Sequence, residues 1–309
     1  MSSRKPSQLY ALLIVGMIAI SFSAIFVKWS TAPAAVIGMY RLLITNIVLL
    51  PWAWTYRSEW NSVQRNDWLR LCLSGFFLGL HFLLWMESLR YTTVASSTVL
   101  LALEPILVMA GSFWIFKQRS TSNSLIGIGI ALCGMLLIGW GDMAISGKAL
   151  YGDILSILGT ISVVIHMLLG QDLRQRVSSY VYNFTVFLVA GLALAVYNLS
   201  AGYSFIRYEA REWLLFALMA VIPTVLGHML FNWLLKYISA TSISMSVLGE
   251  PVGATVLAWL LLGESLTTTQ FIACVLLIAG VWIFLMSERR ENHSTPAAAM
   301  DANTTRSVS

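Results

Sequence analysis

The sequence predicts an all-α polytopic membrane protein with ten transmembrane helices, arranged as two inverted five-helix repeats. Three observations predict it. Of the 309 residues, 58% are hydrophobic and only 11% are charged, whereas a soluble domain carries roughly 25% charged residues. The apolar residues gather in runs of about 20, the length that crosses a hydrocarbon core near 30 Å at 1.5 Å per residue. Finally, the second half echoes the first. A shift of 146 residues puts Tyr91, Ser96, Glu104, Pro105, Thr121, Ile126 and Gly134 on Tyr237, Ser242, Glu250, Pro251, Thr267, Ile272 and Gly280. An acidic residue followed by proline inside an apolar run is the distinctive part of that match.

In chain order, a polar lead with Arg4 and Lys5 precedes run 1, about 9–27. That run is long for a signal h-region and lacks a small-residue cleavage site, so it reads as a retained helix. Run 2, about 34–56, follows Pro33, which suits a first helical turn. A polar connector with Arg57, Arg65 and Asp67 leads to runs 3 (about 68–89), 4 (about 94–116) and 5 (about 124–141). Gly141 and Gly147 flank the natural midpoint. Runs 6 to 10 then occupy about 151–170, 179–199, 212–235, 240–262 and 268–286. The first repeat is therefore 9–141 and the second 151–286. The remaining 287–309 is polar, rich in Ala, Ser and Thr, and reads as a disordered cytoplasmic tail.

Loop charge sets the orientation. With the N-terminus inside, cytoplasmic segments hold twelve Lys and Arg and the opposite side five. The positive-inside bias places both termini in the cytoplasm and the protein in the cell membrane. Five helices per repeat is an odd number, so the second copy enters from the opposite side, which makes the repeats inverted.

Several function classes are excluded or disfavoured. The net charge of +5 is explained by the loops, and no recognition module for nucleic acid is present. Cys72, Cys133 and Cys274 lie inside apolar runs without metal spacing. No cofactor motif, Walker loop or catalytic Ser/His/Asp set appears, so neither an intramembrane enzyme nor ATP-driven transport by this chain alone has support.

Ionisable groups inside a bilayer are expensive and tend to mark pathways or pairs. The candidates are Arg41, His81, Glu104, His166, His228 and Glu250. Glu104 and Glu250 stand near the middle of runs 4 and 9, each before a proline that removes a backbone donor and kinks its helix. Such a carboxylate can bind a proton or a cationic group and couple it to movement. Alternatively it holds helix packing, with Arg41 as a partner for Glu104. In run 3, His81 and Trp85 share a face by i, i+4 spacing, giving a titratable donor beside a flat aromatic wall. His228 and Asn232 form a related pair in run 8, one residue out of register under the repeat shift. Ser162 and His166 pair in run 6. His81, Trp85, His166, His228 and Asn232 are the candidate substrate-binding residues; packed histidines bonded to carbonyls are the competing reading. Hydroxyls at Ser96, Ser97, Thr98, Ser242, Ser244 and Ser246 fit either close helix approach or a polar lining. Gly75 and Gly79 mark a close-approach face in run 3. The glycines of run 5 read as small-residue helix packing, within the chain or across a homodimer.

The tandem five-helix units, the apolar-Glu-Pro helices and the stretch SVLGEPVGATVLAWLLLGESLTTTQFIACVLLIAGVWI resemble the EamA-type transporters of the drug/metabolite transporter superfamily. So do GLHFLLWMESLRYTTVASSTVLLALEPI (79–106) and PAAVIGMYRLLITNIVLLP (33–51), the latter carrying Arg41 at the usual arginine. The resemblance covers about 9–286. The first repeat departs from it in the FKQRST connector, which leaves the connector glutamate of the second, Glu264, without a counterpart. The resemblance implies a transporter of a small metabolite, an amino acid among the options, often working outward. A channel-like facilitator is the alternative.

Overall fold

A computed structural model of the chain describes residues 6–88, 90–91, 100–118, 120–140, 147–263 and 267–306. Expectations for Ser96, Ser97, Thr98 and Glu264 lie outside the described residues. Eight helices are long and apolar enough to cross a membrane: Gln8–Trp29, Ala34–Trp52, Arg65–Ser88, Gly147–Leu173, Ser179–Ser200, Ala210–Leu234, Ala240–Leu261 and Thr268–Glu288. Two shorter apolar helices, Glu104–Phe116 and Ser122–Leu137, fall in runs 4 and 5. The described residues contain no strand.

α1 (Pro6–Trp29) leads into α2 (Ala34–Leu49), which starts behind Pro33 in extended conformation. Run 2 ends earlier than its apolar stretch suggests. Pro51 lacks an N–H, so the chain tightens into a 3₁₀ turn at Leu50–Trp52. A short α3 (Arg57–Ser62) then precedes α4 (Arg65–Ser88). Tyr56, Trp60, Trp68 and Tyr180 stack at this end of the bundle, Tyr56 and Tyr180 at 4.4 Å.

α5 (Glu104–Phe116) is closed by Lys117 in the left-handed region, φ 57°, and is followed by α6 (Ser122–Trp140) and α7 (Gly147–Leu173). α8 (Ser179–Ser200) is capped by Ser178, whose hydroxyl accepts from the Val181 N–H. α9 (Ala210–Met219) continues through a π-helical segment, Ala220–Met229, into α10 (Leu230–Leu234). Pro223 lies inside that segment. Without a donor it cannot make the normal i→i−4 bond, and the wider turn accommodates the loss. α11 (Ala240–Val247) is capped by Ser239 and followed by α12 (Glu250–Leu262). α13 (Thr268–Arg306) carries the last span. Its backbone stays helical to Arg306, through the stretch where composition favours disorder; the Ala297–Ala299 run supplies strong helix formers there.

α4 packs on α7 and α8, α2 on α8, and α1 on the π-helical segment and α12. The largest buried apolar cluster joins α2, α4 and α8 around Leu42, Leu78, Val186 and Phe187. Gly75 and Gly79 bring α4 onto the α8 backbone. A Cβ at either would stand 2.8 Å from the Val186 carbonyl oxygen or 3.0 Å from that of Ala190.

α6 packs on α13 within the chain, the first of the two alternatives for the run 5 glycines. Those facing α13 are used up there. A Cβ on Gly127 would meet the Gly280 oxygen at 2.8 Å, one on Gly134 the Ala273 oxygen at 2.8 Å, and one on Gly280 the Ala131 nitrogen at 2.5 Å. Gly280→Val is therefore expected to force the two helices apart and cost about 1–3 kcal/mol by overpacking. Gly129→Val, which has nothing within 4 Å of its Cβ, serves as the control. Thermal unfolding in detergent reads both; equal midpoints would show that the glycine contact is not tight.

Candidate functional site

The kinks expected at the Glu-Pro pairs take the form of two-residue tightened turns, with the backbone still in the right-handed region. Ala102 and Leu103 are in a turn immediately before α5, and Leu248 and Gly249 immediately before α12. In both places the glutamate opens the new helix and the proline follows in its first turn, where a missing N–H does no harm. A carboxylate in a first helical turn also faces the positive end of the helix dipole. Local chain chemistry thus puts two carboxyls at two helix starts.

Both turns face one cavity of about 360 Å³, walled by α1, α4, α7, α11 and α12 together with the π-helical segment and α10. All eight residues singled out from the sequence line it: Arg41, His81, Trp85, Glu104, His166, His228, Asn232 and Glu250. Most of the remaining wall is apolar, including Ile20, Phe82, Met167 and Val247. The combination of an apolar wall with few convergent polar groups is typical of small-molecule sites.

Arg41 is fully buried. Its Nε donates to Thr224 Oγ1 at 3.0 Å, one terminal nitrogen donates to Ser23 Oγ at 3.3 Å, and the guanidinium lies 4.5 Å over the Phe82 ring. The Nη2 nitrogen is buried without a partner. The expected Arg41–Glu104 pair does not form. Arg41 and Glu250 both line the cavity, with no ion pair between them. The physical reason is placement: α2 presents Arg41 toward α1 and the π-helical segment, where Ser23 and Thr224 satisfy it. Glu104 keeps one buried carboxyl oxygen, Oε1, without a hydrogen-bond partner.

The histidines are held in defined orientations. His81 Nδ1 lies 3.0 Å from the Gly159 carbonyl oxygen. A carbonyl only accepts, so Nδ1 carries the proton and a neutral ring leaves Nε2 as acceptor. His166 Nδ1 meets Ser74 Oγ at 2.9 Å and the Ser74 carbonyl oxygen at 3.2 Å, which fixes the same tautomer. His81 and Trp85 stack with planes 9° apart, as their spacing suggests, and the Trp85 indole N–H is buried without a partner. His228 meets the Phe82 ring edge to face at 5.3 Å. Asn232 donates to Asn183 Oδ1 at 3.0 Å.

Several hydroxyls bond back to their own helices, although Ser244 remains in the cavity lining. Ser88 donates to the Trp85 carbonyl, Ser162 to Leu158, Ser244 to Thr241 and Ser246 to Ser242. Each satisfies its own helix backbone, a common fate for serines in apolar helices. Sequence reasoning missed Thr224 and the widened turn that carries it; Ser23 reads from the sequence only as a weak run 1 hydroxyl. Pro223 was the available signal, since an internal proline in run 8 demands a local departure from α-helix.

Comparison with known proteins gives a consistent result. The EamA-like transporter family matches residues 8–140 and 150–286. An "Uncharacterized transporter YetK" of Bacillus subtilis (strain 168) is 24% identical over 269 residues, covering 84% of this chain and 80% of that protein. An "Uncharacterized transporter" of Archaeoglobus fulgidus is 24% identical over 273 residues, covering 88% of this chain and 94% of its own. A "Probable 4-amino-4-deoxy-L-arabinose-phosphoundecaprenol flippase subunit ArnE" of Hamiltonella defensa is 34% identical over 80 residues, covering 26% of this chain and 72% of that subunit. A solved crystal structure superimposes with a TM-score of 0.78 at 16% identity, covering 93% of this chain and all of that one; it speaks for the fold alone.

Proposed function

The chain belongs to the EamA-like transporter family, within the drug/metabolite transporter superfamily, and from that premise we propose a secondary transporter working by alternating access. It is a multi-span membrane transporter and not an enzyme. The proposed cargo is a small metabolite, an amino acid or related compound among the options, moved outward across the cytoplasmic membrane with both termini inside. The observation that carries the reading is the convergence of all eight polar and aromatic candidates on one cavity at two tightened turns.

The proposal includes ten spans in two inverted repeats, and the pairing of helix contacts supports that reading. Exchanging the repeats turns the α4–α7 contact into that of the π-helical segment with α1, and the α5–α7 contact into that of α12 with α1; all four pairs are present. The exchange works at residue level too. Under the shift of 146, the Gly127–Gly280 approach becomes Ala273–Gly134, and both occur at 2.8 Å. In the two approaches the α6 position rises as the α13 position falls, so these helices run antiparallel. A two-fold relating them lies across the helix axes, in the membrane plane, as inverted repeats require. Phe82 and His228, equivalents under the shift, touch each other, as a two-fold through the cavity would have it.

The test is counterflow in proteoliposomes, using whichever radiolabelled compound a resistance and export screen in overexpressing cells identifies. Saturable counterflow is the expected result. A large non-saturating conductance would instead mark a channel-like facilitator.

A further inference from the structure

The cavity is unequal at its two ends. At one end its lining reaches Lys28, which is exposed, and Gln270 in the first turn of α13. At the other it stops at Leu235 and Ile243, exposed by 2% and 1%. Beneath that closed floor, hydrogen bonds cross between two packed groups of helices. One group contains α4, α5 and α7; the other contains α1, the π-helical segment with α10, and α12, while α11 packs on α5 as well as on α1. Arg174, just past the end of α7 and 2% exposed, donates through Nε to the Asn232 carbonyl at 3.0 Å. Gln171, one turn earlier, accepts from the Ala240 N–H at 2.6 Å. Neither residue lines the cavity.

We infer that Arg174 is the latch that holds this end shut, and that Lys28 takes the equivalent place at the other end when the cavity faces the opposite way. The shift that pairs Glu104 with Glu250 places Lys28 on Arg174. Both cations follow the last turn or close it: Lys28 in α1, Arg174 after α7. The carbonyl that Arg174 grips, on Asn232, corresponds to that of Met86 in α4. In a protein with inverted repeats, the second conformation is approximated by giving each half the arrangement of the other. Lys28 would then reach the α4 carbonyls near Met86 while Arg174 lets go of α10. Guanidinium–carbonyl bonds at a buried seam are stronger than neutral ones, yet they break without leaving a carboxylate unpaired. That suits a closure that must open in every cycle.

The inference rests on the alternating-access reading, and its test separates the two. In a background with Cys72, Cys133 and Cys274 changed to alanine, Val247→Cys places one thiol on the cavity wall. Labelling by a membrane-impermeant maleimide is measured from each side of the membrane in right-side-out and inverted vesicles. The parent is expected to label from the Lys28 end. Arg174→Ala is expected to raise the labelling rate from the Arg174 end on the order of tenfold, the loss of one hydrogen bond to a charged group. Arg174→Lys should label like the parent, and adding Lys28→Ala to Arg174→Ala should draw the rate back toward it. If Arg174→Ala does not yield folded protein, Gln171→Ala reads the same seam and shifts access in the same direction. One-sided labelling that neither variant alters overturns the latch while leaving alternating access standing. Equal labelling of the parent from both sides removes the closed end and overturns the latch, whereas alternating access itself falls only if counterflow gives a non-saturating conductance.

Discussion

Glu250→Gln is expected to lose pH-gradient-driven accumulation by tenfold or more in proteoliposomes, while exchange of cargo down its own gradient continues. Glutamine keeps the size and hydrogen-bonding outline of a protonated glutamate but can neither release nor take up a proton. Glu250 stands in the first turn of α12 and lines the cavity, and Glu104→Gln, at the equivalent place in α5, is measured beside it. Accumulation against a gradient and exchange are measured on the same preparations, with folded protein verified by size-exclusion chromatography. Unchanged coupling in both variants would end the proton role and leave the two carboxyls as binding or packing groups.

Arg41→Ala is expected to destabilise the protein by about 3 kcal/mol and to remove transport. The side chain is entirely buried, and it serves Ser23, Thr224 and the Phe82 ring together. Hydrogen bonds to a charged group contribute about 1.5–3 kcal/mol each, and truncation also leaves a void between α1, α2 and the π-helical segment. For a chain of this size that corresponds to a fall of roughly 5–10 °C in the unfolding midpoint. Arg41→Lys should recover little of it. A lysine offers a compact point charge in place of the planar fork that bonds two hydroxyls and stacks on a ring at once. Thermal unfolding in detergent and counterflow give the two readouts. A midpoint within 1–2 °C of the parent would mean that Ser23 and Thr224 find other partners.

The identity of the site residues was more legible in the sequence than their pairing. A bilayer makes every ionisable group conspicuous, so Arg41, the three histidines and the two glutamates stood out without any structure. The Glu-Pro dipeptides located the tightened turns, because proline's missing donor acts on its own neighbourhood. The Arg41–Glu104 pairing failed because partner choice depends on which faces α2 and α5 turn toward each other, which spacing along one chain does not encode. The run 5 glycines behaved likewise: small residues signal close approach, and the partner helix, here α13, is set by the whole bundle. The early end of run 2 was written in Pro51, but apolar composition through Trp54 concealed it. The widened turn around Pro223 needed both the proline and its neighbours' packing to be known.

One asymmetry in the cavity reaches beyond residue contacts. Arg41 corresponds, under the shift of 146, to Phe187, a buried aromatic residue of the main apolar cluster. Under the alternating access proposed above, the two halves would exchange geometry without exchanging charge, and the cargo would meet a different electrostatic landscape in each orientation. Detailed balance forbids this from biasing the final distribution of an uncoupled cargo. It does allow half-saturation to differ between the two faces, with the maximal rates differing in compensation. On the alternating-access proposal, the protein would thus show different affinities at its two faces with no net preference of direction.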